Sequence, residues 1–201
     1  MPKTKEQFEK IKQERMSDIL NHSLYLFALH GYDGVTTDAI ANAVGCSHGL
    51  LYHYFGSKED LFQEVVNNVA IKIDEEITKD VSFEQKPKFA LQDLLNAYLS
   101  TLKSEKNNYA CAIYLLLNLY IQSRNLPKAK QRLFKFSIFD NIYQLIDKGK
   151  ECGEFIDSPT RELTVTVTSI LKGLSYNRIN LGCNKCTIPK SDLIMRMILK
   201  N

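Results

Sequence analysis

Side chains that can bind an anion are grouped in one short stretch of the sequence, between Thr36 and Lys58. Tyr52 and His53 carry a phenol and an imidazole, and helical spacing of 100° per residue places them with Gly49 on one side of a helix. Glycine costs a helix roughly 1 kcal/mol relative to alanine, which suggests that something approaches the backbone closely there. A phosphate fits this position, since the amides of a helix N-terminus favour anions.

Two short helices joined by a tight turn must position these side chains. The first is predicted from about Thr37 to Val44, where the hydroxyl of Thr36 or Thr37 can cap the first amides. Gly45 ends it, because glycine readily takes the left-handed conformation that a helix end often needs. The second helix follows with Ser47 as its cap. This is the helix-turn-helix pattern, in which the second helix enters the major groove of DNA.

The same residues also fit an ordinary surface helix that contains a glycine, because two helices joined by a turn are by themselves a weak signal. Charge does not decide between the two interpretations. Residues 1–58 hold six Lys or Arg and six Asp or Glu, so their sum is zero, and the whole chain of 201 residues carries +3. A strongly basic DNA-binding protein would show a larger positive charge.

Four motifs follow one another at fixed spacing between Ile19 and Val66: LF-x-x-x-G-[YF], T-x-x-x-I-A, G-[VC]-S-x-G and L-Y-x-[YH]-F-x-[SN]-K-x-x-L. They contain Leu26, Phe27, Gly31, Tyr32, Thr37, Ile40, Ala41, Gly45, Cys46, Ser47, Gly49, Leu51, Tyr52, Tyr54, Phe55, Ser57, Lys58 and Leu61. The stretch resembles the DNA-binding domain of the TetR family of bacterial transcriptional repressors. Two positions depart from the common pattern: Cys46 replaces the usual Val, and Leu50 stands where Thr or another polar residue is frequent.

The resemblance implies an all-α protein with two domains. Residues 1–57 would form a three-helix DNA-binding domain with the helix-turn-helix, and residues 58–201 a helical domain for effector binding and dimerisation. The residues expected to contact DNA lie outward or at helix ends: Thr36, Thr37, Ser47, His48, Gly49, Tyr52, His53 and Lys58.

Apolar periodicity predicts further helices through the rest of the chain, and the low content of Pro (5) and Gly (9) favours an all-helical structure. Residues 5–15 are expected to be a frayed, charged extension of the first helix. The later helices are predicted at residues 58–79, 87–104, 109–124, 128–151, 159–181 and 191–199.

By the same resemblance, the protein would bind imperfectly palindromic operator DNA as a homodimer. The last two long helices of each subunit, at about 130–151 and 159–181, would pair in the dimer. The apolar residues assigned to this interface are Leu163, Val167, Ile170, Leu171 and Leu174.

The helices between residues 58 and 150 would enclose a pocket for a small effector, apolar or aromatic in character, whose binding releases the DNA. The candidates for its lining combine apolar area with polar tips, although a role in the core suits them as well. They are Tyr98, Tyr114, Asn118 and Tyr120.

Other classes of function find less support. We find no glycine-rich phosphate loop, no H-x-x-x-H pair and no catalytic constellation, so we expect no enzyme, cofactor or metal. Cys183 and Cys186 form a lone C-x-x-C pair, which falls short of the four ligands of a structural zinc site, and the five cysteines fit free thiols. A helical adaptor that keeps the fold without binding DNA remains an alternative, supported by the neutral charge of residues 1–58.

The sequence also bears on location. It contains no apolar run near 18 residues, as a membrane-spanning helix would need, and the charged N-terminal segment lacks the core of a signal peptide. We therefore expect a cytoplasmic protein without a membrane partner.

Overall fold

The computed structural model describes residues 5–104, 112, 114, 137–182 and 185–200. Over these residues the chain forms α-helices and one isolated antiparallel bridge, which joins Phe155 to Leu199. The predicted all-α class is therefore confirmed. The helices are α1 (Lys5–His30), α2 (Thr37–Val44), α3 (His48–Phe55), α4 (Lys58–Thr78), α5 (Pro87–Lys103), α6 (Ser137–Glu151), α7 (Thr160–Leu181) and α8 (Ser191–Met195).

The chain divides into two compact units, Met1–Val69 and Ala70–Asn201. The division falls within α4, whereas the sequence placed it at the first residue of that helix. The first turns of α4 belong to the N-terminal unit because Phe62 packs edge-on against the rings of Phe27 and Tyr32, each with its centroid 4.9 Å away.

The core of the N-terminal unit is built from apolar residues of all four of its helices. Helix α1 contacts α2, and α2 contacts α3. Residues 5–15, expected to be a frayed extension, continue α1 as regular helix, and their described side chains are exposed. The buried core residues include Ile19, Leu24, Phe27, Ile40, Leu51 and Leu61, each at most 2% exposed.

In the second unit, α5 contacts α6 and α8, and α6 contacts α7. A side chain adds to this packing where Nε of Arg178 on α7 donates a hydrogen bond to the carbonyl of Leu102 on α5 at 2.8 Å. The apolar residues between these helices include Leu91, Leu94, Leu95, Ile142, Ile146 and Val167, each of them 0% exposed.

The end of the chain differs from the prediction. The helix expected at residues 191–199 ends at Met195. The following backbone leaves the helix because it pairs with the loop after α6: the amide of Ile156 donates to the carbonyl of Ile198 at 2.9 Å, and the amide of Lys200 to that of Glu154 at 3.0 Å.

Several predictions fall outside the described residues. These are the helix expected at 109–124 except for two of its residues, the start of the helix expected at 128–151, and Cys183 of the C-x-x-C pair. Within the described ranges, no helix combines the length and apolar character needed to cross a membrane.

Candidate nucleic-acid interface

Backbone hydrogen bonds and a side-chain cap fix the turn that follows α2. The hydroxyl of Thr36 caps α2 by accepting a hydrogen bond from the amide of Ala39 at 3.1 Å. Gly45 ends the helix in the left-handed conformation, with φ of 68°. The amide of the next residue, Cys46, donates to the carbonyl of Ala41 at 2.9 Å. The helix end predicted at this glycine is therefore confirmed.

Helix α3 begins with a second hydroxyl cap, since Ser47 accepts a hydrogen bond from the amide of Leu50 at 3.2 Å. Its inward face carries Leu51 and Phe55, which are 2% and 8% exposed. Capping uses a lone pair of the hydroxyl oxygen, so Ser47 and Thr36 each keep a proton that they can donate to a phosphate oxygen.

The outward face of α3 carries Gly49, Tyr52 and His53, all of them exposed. A methyl group added to Gly49 would meet no described protein atom within 4 Å. Packing within the described protein therefore does not require a glycine here, and the backbone at the start of α3 is open to a ligand. The helix sequence, HGLLYHYF, contains no acidic residue, so a phosphate would meet no like charge from α3 itself.

His48, at the first residue of α3, bonds back to α2. Its Nε2 atom lies 2.8 Å from Oγ1 of Thr37 and 3.4 Å from Oδ1 of Asp38. The imidazole also lies edge-on to Tyr52, with 4.8 Å between the ring centroids. The structure thus brings three of the predicted DNA-contact residues together and adds Asp38, which the sequence analysis did not assign to the site.

Lys58, the last of the predicted DNA contacts, is the first residue of α4. Its Nζ atom lies 4.1 Å from the centre of the Tyr32 ring. The helix end is fixed by Ser57, whose hydroxyl oxygen accepts a hydrogen bond from the amide of Asp60 at 3.0 Å and donates to its Oδ2 at 2.6 Å. Tyr32 is not among the predicted DNA contacts, and the structure shows that its ring positions this ammonium group.

The predicted effector residue Tyr98 lies in the core of the second unit and is 1% exposed. Its hydroxyl donates to the carbonyl of Leu171 at 3.2 Å and lies 2.8 Å from Oγ of Ser175. Burial raises the pKa of Tyr98, while the hydrogen bond with Ser175 acts in the opposite direction. The polar tip of this residue is therefore already used inside the protein.

Tyr114, a second predicted effector residue, is half-buried, and its ring centroid lies 5.4 Å from that of Tyr176 on α7. Asn118 and Tyr120 lie outside the described residues.

The second unit also contains an open cleft of about 540 Å³, which the sequence analysis did not predict. Lys86, Lys88 and Lys200 line it together with the apolar side chains of Phe89 and Met195. Of the predicted effector residues that the structure describes, neither Tyr98 nor Tyr114 lines it. No sequence signal pointed to this cleft, because its walls come from α5, the loop after α6 and the end of the chain.

The predicted dimer residues divide into two groups. Leu163, Val167 and Leu171 are buried within the chain, at 5%, 0% and 0% exposed, whereas Ile170 and Leu174 are half-buried. The first three residues pack inside their own subunit, so their assignment to a surface between subunits needs correction. The apolar face of α7 packs against α6 and the core of its own subunit. Apolar periodicity predicts that a helix face is buried, but not whether the same chain or a second copy buries it.

Comparison with known proteins identifies the N-terminal unit. Residues 19–65 match the family model of "Bacterial regulatory proteins, tetR family". These residues include α2, the turn and α3. Residues 19–65 therefore carry the helix-turn-helix DNA-binding domain that is typical of TetR family regulators.

The likeness to curated helix-turn-helix regulators differs in extent. The transcriptional repressor AcnR of Corynebacterium jeikeium is 39% identical over 54 residues, which cover 27% of this chain and 29% of AcnR. The chain therefore matches less than a third of the length of that repressor. The transcriptional regulator AcrR of Shigella flexneri is 27% identical over 171 residues, covering 82% of this chain and 78% of AcrR.

Solved TetR-like structures share the fold over nearly the whole chain. A transcriptional regulator from Saccharomonospora viridis, crystallised in complex with choline, superposes with a TM-score of 0.60 at 20% identity, covering 94% of this chain and 100% of that chain. At this identity the likeness establishes the fold of the second unit and nothing about its ligand.

Proposed function

We propose that this TetR family regulator represses transcription by binding palindromic operator DNA as a homodimer, and that a small-molecule effector releases it. The observation that carries the proposal is the outward face of α3. There the exposed Tyr52 and His53 flank a backbone left open at Gly49, beside two capping hydroxyls that keep a proton to donate.

On DNA, the groups at this face would divide into two kinds. Contacts to phosphates position a protein on the duplex, whereas contacts to base edges read the sequence. The hydroxyls of Thr36, Ser47 and Tyr52 and the ammonium group of Lys58 suit phosphates. The imidazole of His53, which can donate or accept a hydrogen bond, suits a base edge in the major groove.

Repression, rather than activation, is supported by the name of the AcnR repressors; that of Corynebacterium jeikeium is similar over 54 residues. The operator would be a palindrome because a homodimer presents two identical recognition helices, whose half-sites lie about one helical turn, roughly 34–36 Å, or a multiple of it apart.

A dimer surface on α7 would use the side of that helix which lies opposite its three buried apolar residues. Val165 is 52% exposed and Tyr176 is 49% exposed, and helical spacing of 100° per residue places them on that side, about 20° apart. The half-buried Ile170 and Leu174 lie next to the buried residues instead. In this proposal Val165 and Tyr176 take the place of the three buried residues at the interface between subunits.

The effector is proposed to be a small molecule with apolar or aromatic groups, bound in the second unit. The choline complex of the Saccharomonospora viridis regulator supports a small-molecule site within this fold. In this chain the tilted rings of Tyr114 and Tyr176 are the described feature that suits such a ligand. Its binding would favour states with lower operator affinity, and by reciprocity DNA would weaken effector binding by the same factor, typically about 5–150-fold.

The direct test measures binding of the protein to labelled DNA from the region flanking its own gene, by gel shift and fluorescence anisotropy, against a scrambled duplex of equal length. We expect specific binding that Tyr52→Phe weakens by about fivefold or more, since one charge-assisted hydrogen bond is lost. Tyr25, an exposed tyrosine on α1, supplies the matched control: Tyr25→Phe should bind as the wild type does. Equal affinity for operator and scrambled DNA would refute the proposal.

A further inference from the structure

The imidazole of His48 joins the two helices of the proposed DNA surface through a single atom. Nε2 lies 2.8 Å from the hydroxyl oxygen of Thr37 and 3.4 Å from the carboxylate of Asp38, both on α2. Thr37 is half-exposed and His48 is exposed. His48, at the start of α3, therefore determines whether the hydroxyl of Thr37, at the start of α2, is free to donate a hydrogen bond to another group.

The hydrogen-bonding chemistry of the three groups sets the position of one proton. A carboxylate accepts hydrogen bonds and cannot donate one, so Asp38 favours a proton on the Nε2 atom that faces it. Nε2–H then donates to the hydroxyl oxygen of Thr37, which keeps its own proton for another acceptor. With the proton on Nδ1 instead, Nε2 would accept the hydroxyl proton, and Thr37 would have none to donate.

We propose that His48 is a positioning residue for operator binding: with Asp38, it orients the hydroxyl of Thr37 so that its proton points to a DNA phosphate. The inference rests on the proposed function and assigns His48 a role other than a base contact. It acts through Thr37, and the loss of either residue removes the same phosphate hydrogen bond.

A double-mutant cycle tests the assignment. His48→Ala and Thr37→Val should each weaken operator binding by about tenfold, the effect of one hydrogen bond to a charged group, and the double variant should be no weaker than either single variant. Independent contacts would instead multiply to about a hundredfold. Such a multiplied loss, measured by anisotropy with wild-type-like circular dichroism and thermal unfolding, would overturn the proposal.

Rescue by a conservative variant supplies a readout that a merely structural role would not move. His48→Gln keeps an N–H donor, so it should bind the operator within about threefold of wild type, whereas His48→Ala loses about tenfold. His22→Gln is the matched control, because His22 lies on α1 and its Nδ1 bonds to the carbonyl of Asp18, and it should bind as the wild type does. A loss in His48→Gln as large as that in His48→Ala would contradict the inference.

A measurement without DNA separates this inference from the proposed function. Nitrogen-15 NMR of the free protein at pH 8 should show the Nε2–H tautomer of His48, and the Nδ1–H tautomer would overturn the inference. If the wild type binds no operator, the proposed function itself fails. If it binds and the cycle is multiplicative, only the role of His48 fails.

Discussion

The ammonium group of Lys58 lies over the ring of Tyr32, with 4.1 Å between Nζ and the ring centre. The ring is itself held by Phe62, whose centroid is 4.9 Å away, and by Phe27, stacked at 6.1 Å. A cation above an aromatic face is attracted by about 0.5–1 kcal/mol at an exposed site. The aromatic cluster of the N-terminal unit thereby fixes a positive charge at the first residue of α4.

This relationship predicts different outcomes for two exchanges at position 32. Tyr32→Phe keeps the ring and should leave operator affinity within about twofold of wild type, whereas Tyr32→Leu removes the support of Lys58 and should weaken binding. Lys58→Ala should weaken binding to all DNA sequences about equally and lower the slope of log affinity against log salt by about 1.

Lys79→Ala is the control for this prediction, since Lys79 directly follows α4, pairs with Glu76 at 2.9 Å and lies outside the proposed interface. An unchanged salt slope in Lys58→Ala would remove Lys58 from the phosphate contacts.

A single substitution at Gly49 should change folding stability and operator affinity in opposite directions. Gly49→Ala should raise the free energy of unfolding by up to about 1 kcal/mol, because alanine is the better helix former and the added methyl meets open space. The same methyl should lower operator affinity, because it occupies the place where we propose that a phosphate approaches. Chemical denaturation and anisotropy measure the two effects. If the free energy of unfolding and the operator affinity both rise, the proposal that DNA closely approaches Gly49 is wrong.

The turn between α2 and α3 was predictable because its signals are local. Thr36, Gly45 and Ser47 act on amides and carbonyls within five residues of themselves, so residue type and spacing were sufficient. The hydrogen bond between Thr37 and His48 was not predictable, although both residues were assigned to DNA. It depends on the angle at which α2 and α3 pack, which no short motif specifies.

Long-range packing accounts for what the sequence missed in the second unit. Periodicity identified the apolar side of α7, but it could not show that Leu163, Val167 and Leu171 meet their own subunit. The early end of α8 has a similar cause: backbone groups near Ile198 pair with residue 156, more than 40 positions earlier. Helical propensity within residues 191–199 carries no information about that pairing.

Tyr98 predicts a pH dependence of folding stability. Burial raises the pKa of Tyr98 in the folded protein, so the buried phenol stays neutral while the unfolded one ionises near pH 10. Its contribution to stability is therefore complete below pH 10 and is lost as the pH rises above it. The loss can reach about 1.4 kcal/mol per pH unit.

Tyr98→Phe isolates this effect from the other groups that titrate at high pH. At pH 8 the variant should be less stable than wild type by about 1 kcal/mol, because the hydrogen bonds with Leu171 and Ser175 are gone. Between pH 10 and 11 the difference should shrink or reverse, since only the wild type loses stability there through this phenol. Urea unfolding at several pH values measures it, and a constant difference would contradict the assignment.

The last prediction concerns the surface through which two copies associate. Val165 and Tyr176 are about half exposed on α7, so Val165→Glu and Tyr176→Glu can be made without filling or emptying the core. Sedimentation at micromolar concentration should show a dimer for the wild type, twice the 23.0 kDa of one chain, and a monomer for the double variant. Operator affinity should fall with it, because one recognition helix alone spans a single half-site.

Two other exchanges to Glu give this experiment its controls. Leu193, 66% exposed on α8, is apolar but lies on another helix, so Leu193→Glu should remain a dimer. Leu171 is fully buried, so Leu171→Glu should lower the melting temperature by burying a charge without a partner. If the double variant is folded and still dimeric, the subunit interface lies elsewhere. Two carboxylates per copy could not be buried against each other without a large loss of binding free energy.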